Sequence, residues 1–221
     1  MSLFEAHNIQ CQFPKEKTAL FFIPNLQIEA HDRIVLQGRS GSGKSKLLRT
    51  LVGLEPFGKA DRFYEGTHLT DTDWVSLRTH VLLVPQKTTL GHARIWDSIL
   101  HPFSFKAHAD KKDETRLKMD ASQLLEQVSL SPKILDRDTH TLSGGETQTI
   151  ALLRALLLKP KILLLDESLS AMDPHMRSLI LEHWLQPSSI ALVLIEHGTQ
   201  SFEKTWNMHT LQERANAHAP S

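Results

Sequence analysis

RIVLQGRSGSGKS, residues 33–45, is the stretch that decides the fold. Five strand-like residues run into a glycine-rich loop, Gly38-Arg39-Ser40-Gly41-Ser42-Gly43-Lys44-Ser45. An amphipathic run, Lys44–Val52, reads as a helix behind it. The loop fits G-x-x-x-x-G-K-[ST], and a strand before it with a helix after it is the context in which that pattern cradles phosphate. The glycines let backbone N–H groups converge on phosphate oxygens. Lys44 is expected to reach the β- and γ-phosphates, and the Ser45 hydroxyl to ligate Mg²⁺. A flexible Gly/Ser turn would need neither the lysine and hydroxyl nor the helix, in that order.

Working outward, short β-rich segments come first: Leu3–Phe13, Leu20–Ile28 and Arg33–Gln37. Arg62–Tyr64, His80–Val84, Lys161–Asp166 and Ile190–Ile195 read as further strands. Glu146–Leu158 has helical periodicity and stops before Lys159-Pro160. Pro174–Leu185 is a helix opened by proline. Apolar strands alternating with helices argue an α/β fold with a mainly parallel sheet. Residues 90–141 are more polar, with helical stretches at Ala93–Leu100 and Glu114–Val128 and the loop-like HPFSFKAHADKKDE between them. They read as a helical lobe inserted into a core formed by about 1–89 and 142–221.

Lys+Arg and Asp+Glu both number 25, so the net charge is zero and the basic excess of a nucleic-acid binder is missing. The single cysteine, Cys11, excludes an internal disulfide and fits a reducing compartment. The start, MSLFEAHNIQ, lacks the basic and apolar pattern of a signal peptide. The longest apolar runs, ILLL and IALVLI, are strand-length, whereas a spanning helix needs about 20 residues, so direct bilayer insertion is not expected. The 13 histidines are scattered, without the close pairing of a zinc site.

In a parallel sheet the carboxyl ends of the strands line the ligand crevice. The strand KILLLDE ends there in Asp166, placed to orient Mg²⁺ and its waters, and Glu167, placed to polarise a water attacking the γ-phosphate. HVLLVPQ brings Gln86 to a strand end, where it could touch Mg²⁺ or that water, and IALVLIEH brings His197, whose imidazole could contact the γ-phosphate. LSGGETQ, residues 142–148, is a second candidate anion site: a serine and two glycines open a helix whose first N–H groups lack partners.

GRSGSGKS, VPQ, LSGGE, ILLLDE, SAMD and a strand ending in histidine, in that order from about residue 3 to 212, resemble the ATP-binding-cassette (ABC) ATPases. The resemblance implies an α/β P-loop NTPase core with a mainly parallel sheet, an antiparallel β subdomain and an inserted α-helical subdomain. It implies ATP and Mg²⁺ as cofactors. Gln86 looks like the family's Q-loop glutamine, and Ser143, Gly144 and Gly145 like its signature. Glu167 looks like the catalytic glutamate, Asp173 like the D-loop aspartate and His197 like the switch histidine. Phe13 resembles the aromatic that stacks on adenine, and an ordinary strand aromatic is an equal reading. Lys46 stands where the family usually has threonine, Thr149 where arginine is common, and Glu196 and Gly198 flank His197 where Thr and Asp are usual.

The resemblance also implies a head-to-tail dimer, the phosphate loop of one chain facing the LSGG of a second copy, with ATP between them. A chain of this length fits the ATPase subunit of a transporter, held peripherally at the cytoplasmic face of the inner membrane by a separate permease. That permease is expected near the groove between core and helical lobe, close to Gln86 and Lys87–Trp96. TTLGHARIWDSILHPFSF and ALLRALLLKPKILLLDE are similar to the small ATPases paired with an iron-exporter-type permease. Two other readings are a soluble ABC ATPase acting on a non-transport complex and a nucleotide-binding scaffold without turnover. Glu167 and His197 argue against the scaffold.

Overall fold

The computed structural model describes residues 2–12, 19–55, 60–195 and 204–208. In chain order the strands are β1 (Ser2–Gln12), β2 (Ala19–Glu29), β3 (Arg33–Gln37), β4 (Asp61–Tyr64), β5 (Thr67–His68), β6 (Val81–Val84), β7 (Ile162–Asp166), β8 (Ala191–Ile195) and β9 (Lys204–Asn207). The α-helices are α1 (Lys44–Leu51), α2 (Trp74–Leu77), α3 (Ile95–Leu100), α4 (Glu114–Gln127), α5 (Gly144–Leu157) and α6 (Pro174–Leu179). The chain divides into two compact units: Met1–Leu83 with Lys161–Asp166 and Ser189–Ser221, and Val84–Pro160 with Glu167–Ser188.

The first unit holds two sheets. One runs β2-β1-β4-β5, with β1 antiparallel to both β2 and β4. The other runs β6-β7-β8-β3-β9, with β3 parallel to β8 and β9 and β7 parallel to β8. Every residue of β7 and β8 is buried. Continuous apolar runs of this kind belong to parallel strands covered on both faces. Leu47, Leu48 and Leu51 of α1 join Ile34, Leu36, Leu164 and Val193 in the core. The α/β reading therefore holds, and the antiparallel sheet stands beside it.

In the second unit α3 and α4 pack on α5. Phe103, Ile95, Ile99, Leu125, Leu135 and Leu152 are fully buried there. HPFSFKAHADKKDE, expected as a loop, instead forms two 3-10 turns, His101–Ser104 and Lys106–Lys111. Phe103 and His108 anchor them inward. The helix expected over 174–185 is α-helical only to Leu179, and Ile180–Leu185 is a π-helical turn. It buries Trp184, whose Nε1 donates to Leu124 O at 2.9 Å. Histidines that look scattered in sequence meet in one place, where the rings of His92 and His101 lie 4.6 Å apart. Among the described residues no group of three or more His, Cys, Asp or Glu could hold a metal ion, and no helix is long and apolar enough to cross a membrane.

Candidate functional site

The loop after β3 turns into α1 at Gly43, whose φ of 93° is a left-handed conformation that a Cβ disfavours. Leu47 N then donates to Gly43 O at 2.8 Å, closing the first helical turn. Lys44 is buried at 6% exposure, yet its Nζ donates to Gly38 O at 2.9 Å and Arg39 O at 3.1 Å. The ammonium is thus pinned over the loop, beside the N-terminal N–H groups of α1. Arg39, Ser40 and Gly41 form the exposed crest, and Ser42 N donates to Arg39 O at 3.2 Å. Lys46 is half-buried, and its carbonyl accepts from Thr50 Oγ1 at 2.8 Å.

Sheet register brings an acid to this loop. Asp166 pairs with Ile195, and Leu36 pairs with the same Ile195 from the other side. The carboxyl ends of β7 and β3 are therefore level, with β8 between them. Ser45 Oγ donates to Asp166 Oδ1 at 2.7 Å, and Asp166 is only 7% exposed. A hydroxyl and a carboxylate side by side are hard oxygen donors, the set that suits Mg²⁺.

The second unit holds its own cluster. Glu167 lies at φ 48°, uncommon for a residue with a side chain. Its carbonyl accepts from Ser170 N at 3.1 Å and Ser170 Oγ at 2.6 Å. Its carboxylate accepts from Gln86 Nε2 at 2.7 Å. Sequence reasoning named both residues without linking them; a contact between residues so far apart in the chain has no local signature.

Ser143 caps α5. Its Oγ accepts from Glu146 N at 3.2 Å, while Glu146 Oε2 accepts from Ser143 N at 2.8 Å. This reciprocal box fixes the helix start. The Ser143 N–H, helped by the Ser143 hydroxyl and Arg137, holds the Glu146 carboxyl below its ordinary pKa against the opposing effect of burial. Ser143 and Gly144 are exposed. A Cβ on Gly144 would meet nothing within 4 Å, whereas one on Gly145 would lie 3.0 Å from Ala171 O. Gly145 therefore permits close approach of α5 to the SAMD segment. Asp173 of that segment caps α6, its Oδ1 accepting from His175 N and Met176 N, each at 3.0 Å.

Phe13 and His197 lie outside the described residues. Gln148, which the sequence does not single out, donates from Nε2 to Gln86 O at 2.6 Å. Within α5 it neighbours Thr149, Ile150, Ala151 and Leu152, all buried, so amphipathic periodicity gives no cue to its orientation.

A model of the ABC transporter family matches residues 23–170. The nickel import ATP-binding protein NikE of Brucella suis is 31% identical over 213 residues, covering 92% of this chain and 78% of that protein. The sulfate/thiosulfate import ATP-binding protein CysA of Pseudomonas aeruginosa is 34% identical over 161 residues, covering 73% of this chain and 48% of that protein. Among solved structures, a nucleotide-free ATP-binding cassette from an ABC transporter superposes with a TM-score of 0.71 at 21% identity, covering 89% of this chain and 82% of that chain. A bacterial Atm1-family ABC exporter with ATP bound superposes at 0.68 and 22% identity, over 89% of this chain and 35% of that one. Identities this low speak to the fold alone.

Proposed function

The chain belongs to the ABC transporter family and is an ATP-binding ATPase subunit, and from that premise we propose that it energises solute transport by a separate membrane permease. The observation that carries the site assignment is the Ser45–Asp166 contact, which pairs a phosphate-loop hydroxyl with the acid of β7 at 2.7 Å.

Lys44 and the loop N–H groups hold the β- and γ-phosphates, with Arg39, Ser40, Gly41, Ser42 and Lys46 completing the loop's embrace. Ser45, Asp166 and Gln86 would hold Mg²⁺, which would supply positive charge to offset the charge that develops on the phosphates. Glu167 accepts a proton from the attacking water. As the water oxygen bonds to the γ-phosphorus, the bond from phosphorus to the β-bridging oxygen breaks, and ADP and phosphate leave. His197 contacts the γ-phosphate, and Phe13 stacks on adenine.

Ser143, Gly144 and Gly145 serve the nucleotide of a second copy in a head-to-tail dimer, with Asp173 at the same contact. The exposure of Ser143 and the open space around Gly144 support this reading. ATP closes the dimer and hydrolysis opens it, a motion the permease converts into transport. The permease docks beside Gln86 and Lys87–Trp96, and Trp96 also lines a groove of the second unit, about 480 Å³, with Glu114, Thr115, Lys118, Met119 and Ser122. Docking there holds the chain at the cytoplasmic face of the membrane. The cargo is set by the permease: relatives named for nickel import and for sulfate or thiosulfate import match this chain to similar degrees.

Glu167→Gln tests the reading. The variant should bind ATP, accumulate as an ATP-dependent dimer by size-exclusion chromatography, and release no phosphate. Phosphate release at the wild-type rate would remove Glu167 from the reaction. An ATP-loaded variant that stays monomeric would remove the sandwich.

A further inference from the structure

Gln148 is 5% exposed in the second turn of α5. Its Nε2 donates to Gln86 O at 2.6 Å, and its Oε1 accepts from Ala171 N at 3.3 Å. The partners fix the amide's orientation, because a carbonyl can only accept and a backbone N–H can only donate. Both groups it meets belong to segments around the proposed general base. Gln86 is the residue whose own Nε2 reaches Glu167 at 2.7 Å. Ala171 follows Ser170, whose N–H and hydroxyl both hold the Glu167 carbonyl.

Hydrogen bonds, closed by the covalent link from Ser170 to Ala171, form a ring: Gln148 to Gln86, Gln86 to Glu167, Glu167 to Ser170, and Ala171 back to Gln148. Gly145, one turn earlier on α5, lets the helix backbone approach Ala171 closely enough for this ring to close. Glu167 is held at both ends, its carboxylate by Gln86 and its carbonyl by Ser170, and Gln148 ties the two holders together. A side chain able to do this needs a donor and an acceptor on one rigid plane. Glutamate lacks the donor, leucine lacks both, and asparagine is a methylene short.

We propose that Gln148 is a positioning residue for ATP hydrolysis, transmitting the placement of the signature helix α5 to Glu167 through the backbone of Gln86. α5 also carries Ser143, Gly144 and Gly145 at its start. A displacement of α5 therefore pulls the Gln86 carbonyl and, with it, the donor on Glu167. A bound second subunit moves the base by moving the helix. The inference rests on Glu167 acting as the base.

The test measures ATP hydrolysis and ATP affinity in Gln148→Leu and Gln148→Glu, alone and combined with Gln86→Ala, beside Glu167→Gln. Leucine removes both bonds, and glutamate keeps the shape while setting a carboxylate against the Gln86 carbonyl. Both variants should lose about tenfold or more in kcat, while KM and the Kd for ATP move less than about threefold, since no phosphate contact changes. In the Gln86→Ala background, Gln148→Leu should cost less than about twofold further, because the path it acts through is gone. Should leucine prevent folding, the near-isosteric glutamate variant carries the same comparison. Unchanged kcat, a parallel loss of ATP affinity, or full additivity with Gln86→Ala would each overturn the proposal. If Glu167→Gln hydrolyses ATP normally, the general-base reading fails instead. If only Glu167→Gln is impaired, that reading stands and the role of Gln148 falls.

Discussion

Ser45 Oγ donates to Asp166 Oδ1 at 2.7 Å, although 121 positions separate the two residues. The parallel register of β7, β8 and β3 brings them together. A hydroxyl next to a buried carboxylate makes two predictions separable. Ser45→Ala removes one oxygen donor and leaves the acid. Asp166→Asn keeps the shape and removes the charge. In a phosphate-release assay titrated with Mg²⁺, Ser45→Ala should need more Mg²⁺ for half-maximal rate. Asp166→Asn should lose about 10²–10³ in kcat at any Mg²⁺ concentration, the usual cost of deleting one electrostatic group from a reacting centre. Equal Mg²⁺ dependence in wild type and Ser45→Ala would mean that this hydroxyl is no ligand.

The bond from Gln86 to Glu167 separates loss of a donor from added repulsion. Gln86→Ala removes that donor from the Glu167 carboxylate. Gln86→Glu brings a second carboxylate to a position where a donor now sits at 2.7 Å. Two like charges at about 4 Å repel by about 1 kcal/mol even at the dielectric of bulk water, and by more in a partly excluded site. That repulsion pushes the Glu167 carboxylate away from the attacking water, so Gln86→Glu should hydrolyse ATP at least about fivefold more slowly than Gln86→Ala, at saturating ATP and neutral pH. Equal rates for the two variants would show that Gln86 is not near Glu167 in the reacting state.

The capping box of α5 predicts a pH dependence of stability. The folded pKa of Glu146 is depressed, chiefly by the Ser143 N–H. A group with a depressed folded pKa contributes stability that is fully present above its unfolded value, about 4.3, and is lost as pH falls through its folded value. Glu146→Ala should thus lower the melting temperature at neutral pH, through a loss of about 1 kcal/mol. The gap to wild type should narrow as pH falls below about 4. Glu146→Gln, which can still accept from the Ser143 N–H, should keep most of the neutral-pH stability and show a flatter acid limb. Thermal melts of the three proteins at a series of pH values check it.

The sheet was legible because its signals are local. The IVL of RIVLQ and the ILLL of ILLLD are continuous apolar runs, and each forms the buried stretch of a strand close to its expected bounds. The phosphate loop was legible because glycine, lysine and hydroxyl have fixed offsets within it. The edge strands β5 and β9 were not read: Thr67–His68 is two residues long, and KTWN has no apolar alternation to mark it. The turns at His101–Ser104 and Lys106–Lys111 hid behind a polar sequence whose few apolar anchors have no helical period. At the site, sequence order pointed to Gln86, Asp166 and Glu167 one at a time. Ser45–Asp166, Gln86–Glu167 and the Gln148 bridge are long-range contacts, set by register and packing.

Asp173 offers the last test, because two roles compete for one side chain. Its Oδ1 caps α6 by accepting from His175 N and Met176 N. Family resemblance assigns it to the dimer contact. Capping tolerates Ser and Asn nearly as well as Asp, whereas Ala costs about 1 kcal/mol. Asp173→Ser should therefore melt within a degree or two of wild type, and Asp173→Ala several degrees lower. If the carboxylate also serves the dimer, both variants should lose ATP-dependent dimerisation and cooperative hydrolysis to a similar extent, despite their different stabilities. If capping is the whole of its role, Asp173→Ser should dimerise and turn over like wild type, and only Asp173→Ala should suffer. Melting curves paired with ATP-dependent size-exclusion profiles distinguish the two outcomes, since one tracks the cap and the other the charge.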